Sequence, residues 1–141
     1  MEDFVTFEIA QKLKEKGFTC KYPFAMYNEL GIYHPLMTSA DYETCDSGFK
    51  CRCYYDYDDF DENDYIAPTI SQVLKWLRKE KLILIALSPM QEYDGDEMIE
   101  WCSSIYKADK QGGMSWIEEF YYQSYEQAAL VGIEYALNYL L

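Results

Sequence analysis

Three segments of the chain repeat their apolar residues with a helical period or carry helix-end signals. In VTFEIAQKLKEKGF the side chains of Phe7, Ile9, Ala10 and Leu13 approximate one helical face, with charged residues between them. Thr6 is placed to cap the first turn. Gly17 stands where a helix most often ends in a left-handed residue, which puts Phe18 against Leu13, so a helix is predicted over 7–16. In APTISQVLKWLRKE, Thr69 and Gln72 have the spacing of a capping box, and Ile70, Val73, Leu74 and Leu77 recur at the helical interval. The last segment, SYEQAALVGIEYALNYLL, opens with Ser124 and Gln127 at the same spacing and predicts a helix almost to the final residue. Ala128, Ala129, Gly132 and Ala136 give part of its surface a small-residue character suited to close packing.

Between these helices the period changes. Residues 82–87 form an unbroken apolar run too short for a further helix, the pattern of a buried central strand. Turn residues Asp94 and Gly95 precede a strand predicted over 98–106, and a second turn at 110–113 precedes one over 114–121. Helix, three antiparallel strands, helix implies an α+β fold: a two-layer sandwich with an antiparallel sheet of about three to five strands and helices on one face. Earlier in the chain, CKYPFAMYNELGIYHP reads as two short extended pieces about a turn at 28–31. Residues 37–66 lack either period and read as an irregular segment with one short strand near 49–55, within a single domain spanning 1–141.

Charge narrows the partners. The 141 residues carry 25 acids against 12 bases, a formal net charge of −13 that repels a phosphate backbone and makes nucleic acid an unfavoured ligand. The lysines that could oppose this, Lys12, Lys14, Lys16 and Lys21, then Lys75, Arg78, Lys79 and Lys81, fall on the predicted helices and read as solvated polar faces. The order of elements in the second half also occurs in double-stranded-RNA-binding domains. Here, however, the final helix from Tyr125 onward holds no lysine or arginine with which to grip phosphate.

Acid and aromatic character coincide in YYDYDDFDENDY, where six carboxylates and five rings stand together without a cation. Tyrosine suits a surface that is apolar at one end and wet at the other, so this stretch is the candidate partner-binding surface: Tyr54, Tyr55, Asp56, Tyr57, Asp58, Asp59, Phe60, Asp61, Glu62, Asp64 and Tyr65. Part of the tyrosine content, 15 residues in all, belongs to half-buried packing.

Catalytic and metal signals are sparse. Asp59, Asp61 and Asn63 imitate the opening ligands of a calcium loop, but Asp64 replaces its glycine and Ile70 its bidentate glutamate. Cys45, Cys51 and Cys53, with Cys20 or His34, offer zinc donors without the paired half-sites of a zinc knuckle. His34 is the single histidine, and no serine or cysteine nucleophile motif accompanies it. None of the seven glycines falls in a phosphate-binding or dinucleotide-binding pattern, so no cofactor is predicted. Glu118 and Glu119, adjacent on a predicted strand, face opposite ways and cannot act as a carboxylate pair. No apolar run is long enough for a membrane helix, the N-terminus lacks the pattern of a secretory signal, and the odd number of cysteines reads as reduced thiols, which together predict a cytoplasmic protein.

The phrases TFEIAQKLKEKGF, APTISQVLKWLRKE and SYEQAALVGIEYAL, in that order, resemble a group of small uncharacterised proteins from Bacteroidetes and their prophages or mobile elements. The resemblance implies a genomic context and no particular reaction. With the charge, it leads to the expectation of a non-catalytic binding or accessory protein acting through an acidic, tyrosine-rich surface, in its sharpest form a DNA mimic filling the groove of a basic host protein. Self-association through that surface is the other partnership it allows. The alternative is a small metal-dependent or cysteine hydrolase built on Cys45, Cys51, Cys53 and His34.

Overall fold

The computed structural model describes residues 3–20, 25–37, 55–56, 62–91 and 99–141. They form an α+β fold of two compact units, one made of residues 4–68 and the other of the chain start with residues 69–141.

In the first unit, helix α1 (Phe7–Glu15) is followed by strands β1 (Ala25–Tyr27), β2 (Tyr33–Met37), β3 (Tyr55–Asp56) and β4 (Tyr65–Ile66), in the sheet order β3-β2-β1-β4. The helix begins and ends as its residues dictate. Thr6 Oγ1 accepts the Ile9 N–H at 3.3 Å; Gly17 adopts φ +82°, and the Phe18 and Gly17 amides close onto the Leu13 and Lys14 carbonyls at 2.9 and 3.2 Å. These are the two bonds of a Schellman ending, and they seat Phe18 beside the buried Leu13. The β1–β2 hairpin closes through Asn28, whose side-chain oxygen takes the Leu30 and Ile32 amides at 2.9 Å each. Gly31, at φ +81°, lies so close to Phe7 that a Cβ would stand 3.0 Å from its ring. One pairing differs from the antiparallel expectation. β1 pairs antiparallel with β4, far along the chain, whereas β2 pairs with β3 in parallel. The strand predicted near 49–55 lies outside the described residues except for Tyr55 at the start of β3.

The second unit follows the predicted order: helix α2 (Ile70–Glu80), strands β5 (Ile83–Gln91), β6 (Ile99–Ala108) and β7 (Met114–Tyr122), helix α3 (Tyr125–Tyr135) and a π-helical turn (Ala136–Leu140). The sheet order is β5-β6-β7, antiparallel throughout. Thr69 and Gln72 make both bonds of the capping box, at 3.2 and 2.9 Å, and Ser124 accepts the Gln127 amide at 3.1 Å. Helix α3 lies across all three strands, while α2 touches β5 and α3. Its small residues are what permit the contact. A Cβ on Gly132 would stand 2.4 Å from Ser103 Oγ and 3.0 Å from Ile85 Cγ2. Ile83, Ser103 and Ile105 are wholly buried and Ile85 nearly so, and the rings of Trp101 and Phe120 meet Tyr125 and Tyr135 of the helix at 5.2 and 5.4 Å. That face of the sheet is the core of the unit.

Leucine 82 carries the only positive φ, +57°, of a non-glycine among the described residues. It occupies the position just after the Lys81 C-cap of α2, where glycine is favoured because an L side chain crowds the carbonyl there. Its carbonyl accepts the Ala108 amide at 2.8 Å, which fixes the start of β5 against the end of β6. Replacing Leu82 by glycine is expected to stabilise the fold by about 1 kcal/mol and Leu82→Val to destabilise it, read as opposite shifts of the urea midpoint.

Candidate functional site

The acidic aromatic segment is described only at Tyr55 and Asp56, whose backbones form β3, and at Glu62, Asn63, Asp64 and Tyr65. Tyr54, Tyr57, Asp58, Asp59, Phe60 and Asp61 lie outside the described residues, as do Cys45, Cys51 and Cys53. At its end the segment acquires the cation that it lacks in sequence. Lys14 of α1 donates from Nζ to the Glu62 carbonyl and, at 3.0 Å, to the Asp64 carbonyl, and the ammonium lies 4.7 Å from the centre of the Tyr65 ring. Lys14 stays exposed, as a residue of a solvated helix face, while its ammonium is held by two backbone carbonyls and the face of a ring.

Tyr65 itself stands edge-on to Phe7 at 5.4 Å, and Phe7 makes a similar contact with Tyr27 at 5.5 Å. Tyr27 donates from its hydroxyl to the Val5 carbonyl at 2.6 Å, and burial, aided by Tyr33, raises its pKa above the usual phenol value. Tyr27 and Tyr65 are half-buried packing residues, and the polar end of Tyr27 is satisfied. Beside them, a cleft of about 160 Å³ between α1 and β4 is lined by Ala10, Leu13, Lys14, Phe18, Asp64 and Ile66. It falls short of the roughly 300 Å³ at which small-molecule pockets begin.

His34 lies on β2 opposite Met26, with Nε2 3.5 Å from Asn28 Nδ2. Among the described residues no three His, Cys, Asp or Glu side chains gather in a way that could hold a metal ion.

A better-built arrangement stands on the sheet of the second unit, on the face opposite α3. Strand alternation in MSWIEEFYY, taken alone, sets Trp116 with Glu118 and leaves Glu119 with Tyr121 on the other side. The structure breaks that alternation. Ile105 pairs with Glu118 but Tyr106 pairs with Trp116, so Ile117 is an extra residue, a β-bulge, and Trp116 is turned onto the face of Glu119 and Tyr121. Trp116 Nε1 donates to Glu119 Oε1 at 3.2 Å, and the Tyr121 hydroxyl donates to Oε2 at 2.8 Å. One carboxylate is thus held by two aromatic donors, which are themselves 55% and 50% exposed. Tyr121 also shields Cys102, its partner on β6, which is 5% exposed with its sulfur 3.4 Å from Ser104 Oγ. The bond to Glu119 and then the charge of that group push the Tyr121 phenol up to about 12, Cys102 adding to the effect.

Both glutamates had been singled out by sequence, whereas Trp116 and Tyr121 were missed. Only the three-residue interval between Trp116 and Glu119 hints at their meeting, and that interval is meaningful on a strand only once a bulge is known.

Comparison of the chain with protein-family models, with curated proteins and with solved structures gives no match. No helix among the described residues is long and apolar enough to cross a membrane.

Proposed function

We propose that this is a non-catalytic binding protein that receives the cationic side chains of a basic partner protein on the open face of β7. The observation that carries the reading is the Glu119 carboxylate fixed between Trp116 and Tyr121 on an exposed sheet face. Each carboxylate oxygen takes one bond from an aromatic donor and keeps a lone pair for a second. A guanidinium can accept that offer with two parallel N–H groups while its plane lies against a ring, and an ammonium can do so with one. Because the carboxylate is already oriented, little further ordering opposes binding. The formal charge of −13 draws cations toward the whole molecule and repels phosphate. In its sharpest form the partner is a nucleic-acid-binding protein whose basic groove the acidic surface fills in place of DNA.

Polyarginine and polyglutamate of equal length test the reading, with Trp fluorescence as readout. Polyarginine should bind, more weakly at high salt, and Glu119→Gln or Trp116→Ala should each weaken it by about tenfold. Equal affinity of the Glu119→Gln protein, or comparable binding of polyglutamate, would exclude this role for β7. For the DNA-mimic form, duplex DNA should compete with this protein for the same basic partner.

A further inference from the structure

Beyond its face, β7 has an edge. It is the last strand of its sheet, and among the described residues nothing pairs with its outer side. Protein edges of this length are usually blunted by lysine or proline. The opposite edge strand, β5, contains Pro89, whereas MSWIEEFYY contains neither residue and exposes Met114, Trp116, Tyr121 and Tyr122. Besides the bulge at Ile117, it carries an unusual protective device: the Glu119 N–H is accepted by the side chain of the preceding Glu118 at 3.0 Å. An amide engaged in that way points away from β6. Since backbone groups alternate between the two sides of a strand, Tyr121 directs its N–H and C=O outward as well.

From these features we infer that the outer edge of β7 is a strand-addition site for an extended basic segment of the partner, which pairs with the Glu119 and Tyr121 backbones and displaces the Glu118 carboxylate from the amide it covers. The inference rests on the proposed function and says how the partner is held. Charge selects the occupant. Glu118 and Glu119 point to opposite faces, so an added strand meets a carboxylate whichever way its side chains alternate, and lysine or arginine on either face finds a counter-charge. A second copy is the poorer occupant. Antiparallel pairing of two β7 strands about their midpoint sets Glu118 against Glu118, a like-charge pair between two strongly acidic molecules. Main-chain bonds would supply affinity and the alternating cations specificity, as in other strand-addition complexes.

The test uses a peptide of alternating lysine and valine with the nine-residue length of β7, and two analogues N-methylated at every second amide in opposite phase. In a paired strand only one phase faces β7. The parent peptide is expected to bind and to slow hydrogen exchange at the Tyr121 amide. One methylated analogue should lose about tenfold or more in affinity while the other binds like the parent. Equal binding of all three would overturn strand addition while leaving Glu119 as a cation site, because side-chain charge would then suffice. Absence of parent binding while polyarginine still binds in a Glu119-dependent manner would likewise remove the edge and spare the face. If the parent fails and polyarginine binding is also absent, the proposed function falls with it. Equal binding of a glutamate–valine peptide, or sedimentation showing a dimer that Glu118→Lys strengthens, would overturn the basic occupant.

Discussion

Replacing Gly132 with alanine is expected to destabilise the protein by about 1–3 kcal/mol, although alanine is the better helix former by about 1 kcal/mol. The reversal comes from the approach of α3 to the sheet, where the new methyl would stand 2.4 Å from Ser103 Oγ and 3.0 Å from Ile85 Cγ2. Ser103 is wholly buried, and its hydroxyl has no hydrogen-bond partner among the described residues. Removing that hydroxyl relieves the desolvated group and opens space, so Ser103→Ala alone should stabilise by about 1 kcal/mol. In the Ser103→Ala background the cost of Gly132→Ala should fall below about 1 kcal/mol, leaving the Ile85 contact as its remainder. Urea unfolding of the four proteins measures the coupling. Strict additivity would mean that α3 shifts as a body to admit the methyl.

Tyrosine 121 should titrate near 12, about a hundredfold weaker as an acid than an ordinary phenol of pKa 10. The cause is local: its hydroxyl proton is held by Glu119 at 2.8 Å, and ionisation would place a second negative charge beside that carboxylate. The group's folded-state value is raised, so the neutral phenol is the stabilised form. Its contribution to stability is complete below pH 10 and is lost as pH rises through about 12. Phenolate absorbance of the wild type, compared with Tyr121→Phe, isolates this titration from those of the other tyrosines. Glu119→Gln should bring it back toward 10, since the amide carries no charge. A normal titration of Tyr121 in the wild type would mean that the hydroxyl bond is not formed in solution, and the oriented carboxylate would go with it.

The three helix ends that the sequence marked most plainly, at Thr6, at Gly17–Phe18 and at the Thr69–Gln72 box, form as read because their signals act within a few residues. The β6–β7 hairpin was legible for a related reason, since its turn residues select neighbours in sequence. The apolar run 82–87, read as a central strand, instead opens the edge strand β5, and the turn read at Asp94 and Gly95 lies outside the described residues. Long-range pairing was not legible. Nothing local in Tyr65 and Ile66 names Met26 and Tyr27 as partners, and the parallel β2–β3 contact is equally remote. The candidate site was half legible. Residues Glu118 and Glu119 point to opposite faces as alternation requires, but the bulge at Ile117 resets that alternation just upstream and delivers Trp116 to Glu119. A single extra residue on one strand is invisible without its partner strand.

The pairing of Tyr27 with Tyr65 also sets the terms on which the chain between them can change. The entropy of closing a flexible chain grows only with the logarithm of its length, so doubling an unpaired stretch of the span between β1 and β4 would cost about 0.6 kcal/mol. All six carboxylates of YYDYDDFDENDY fall inside that span. Insertions and deletions there could alter the acidity of the protein at small thermodynamic expense, while the bulged strand that orients Glu119 belongs to a hairpin closed by a short turn and has no such latitude.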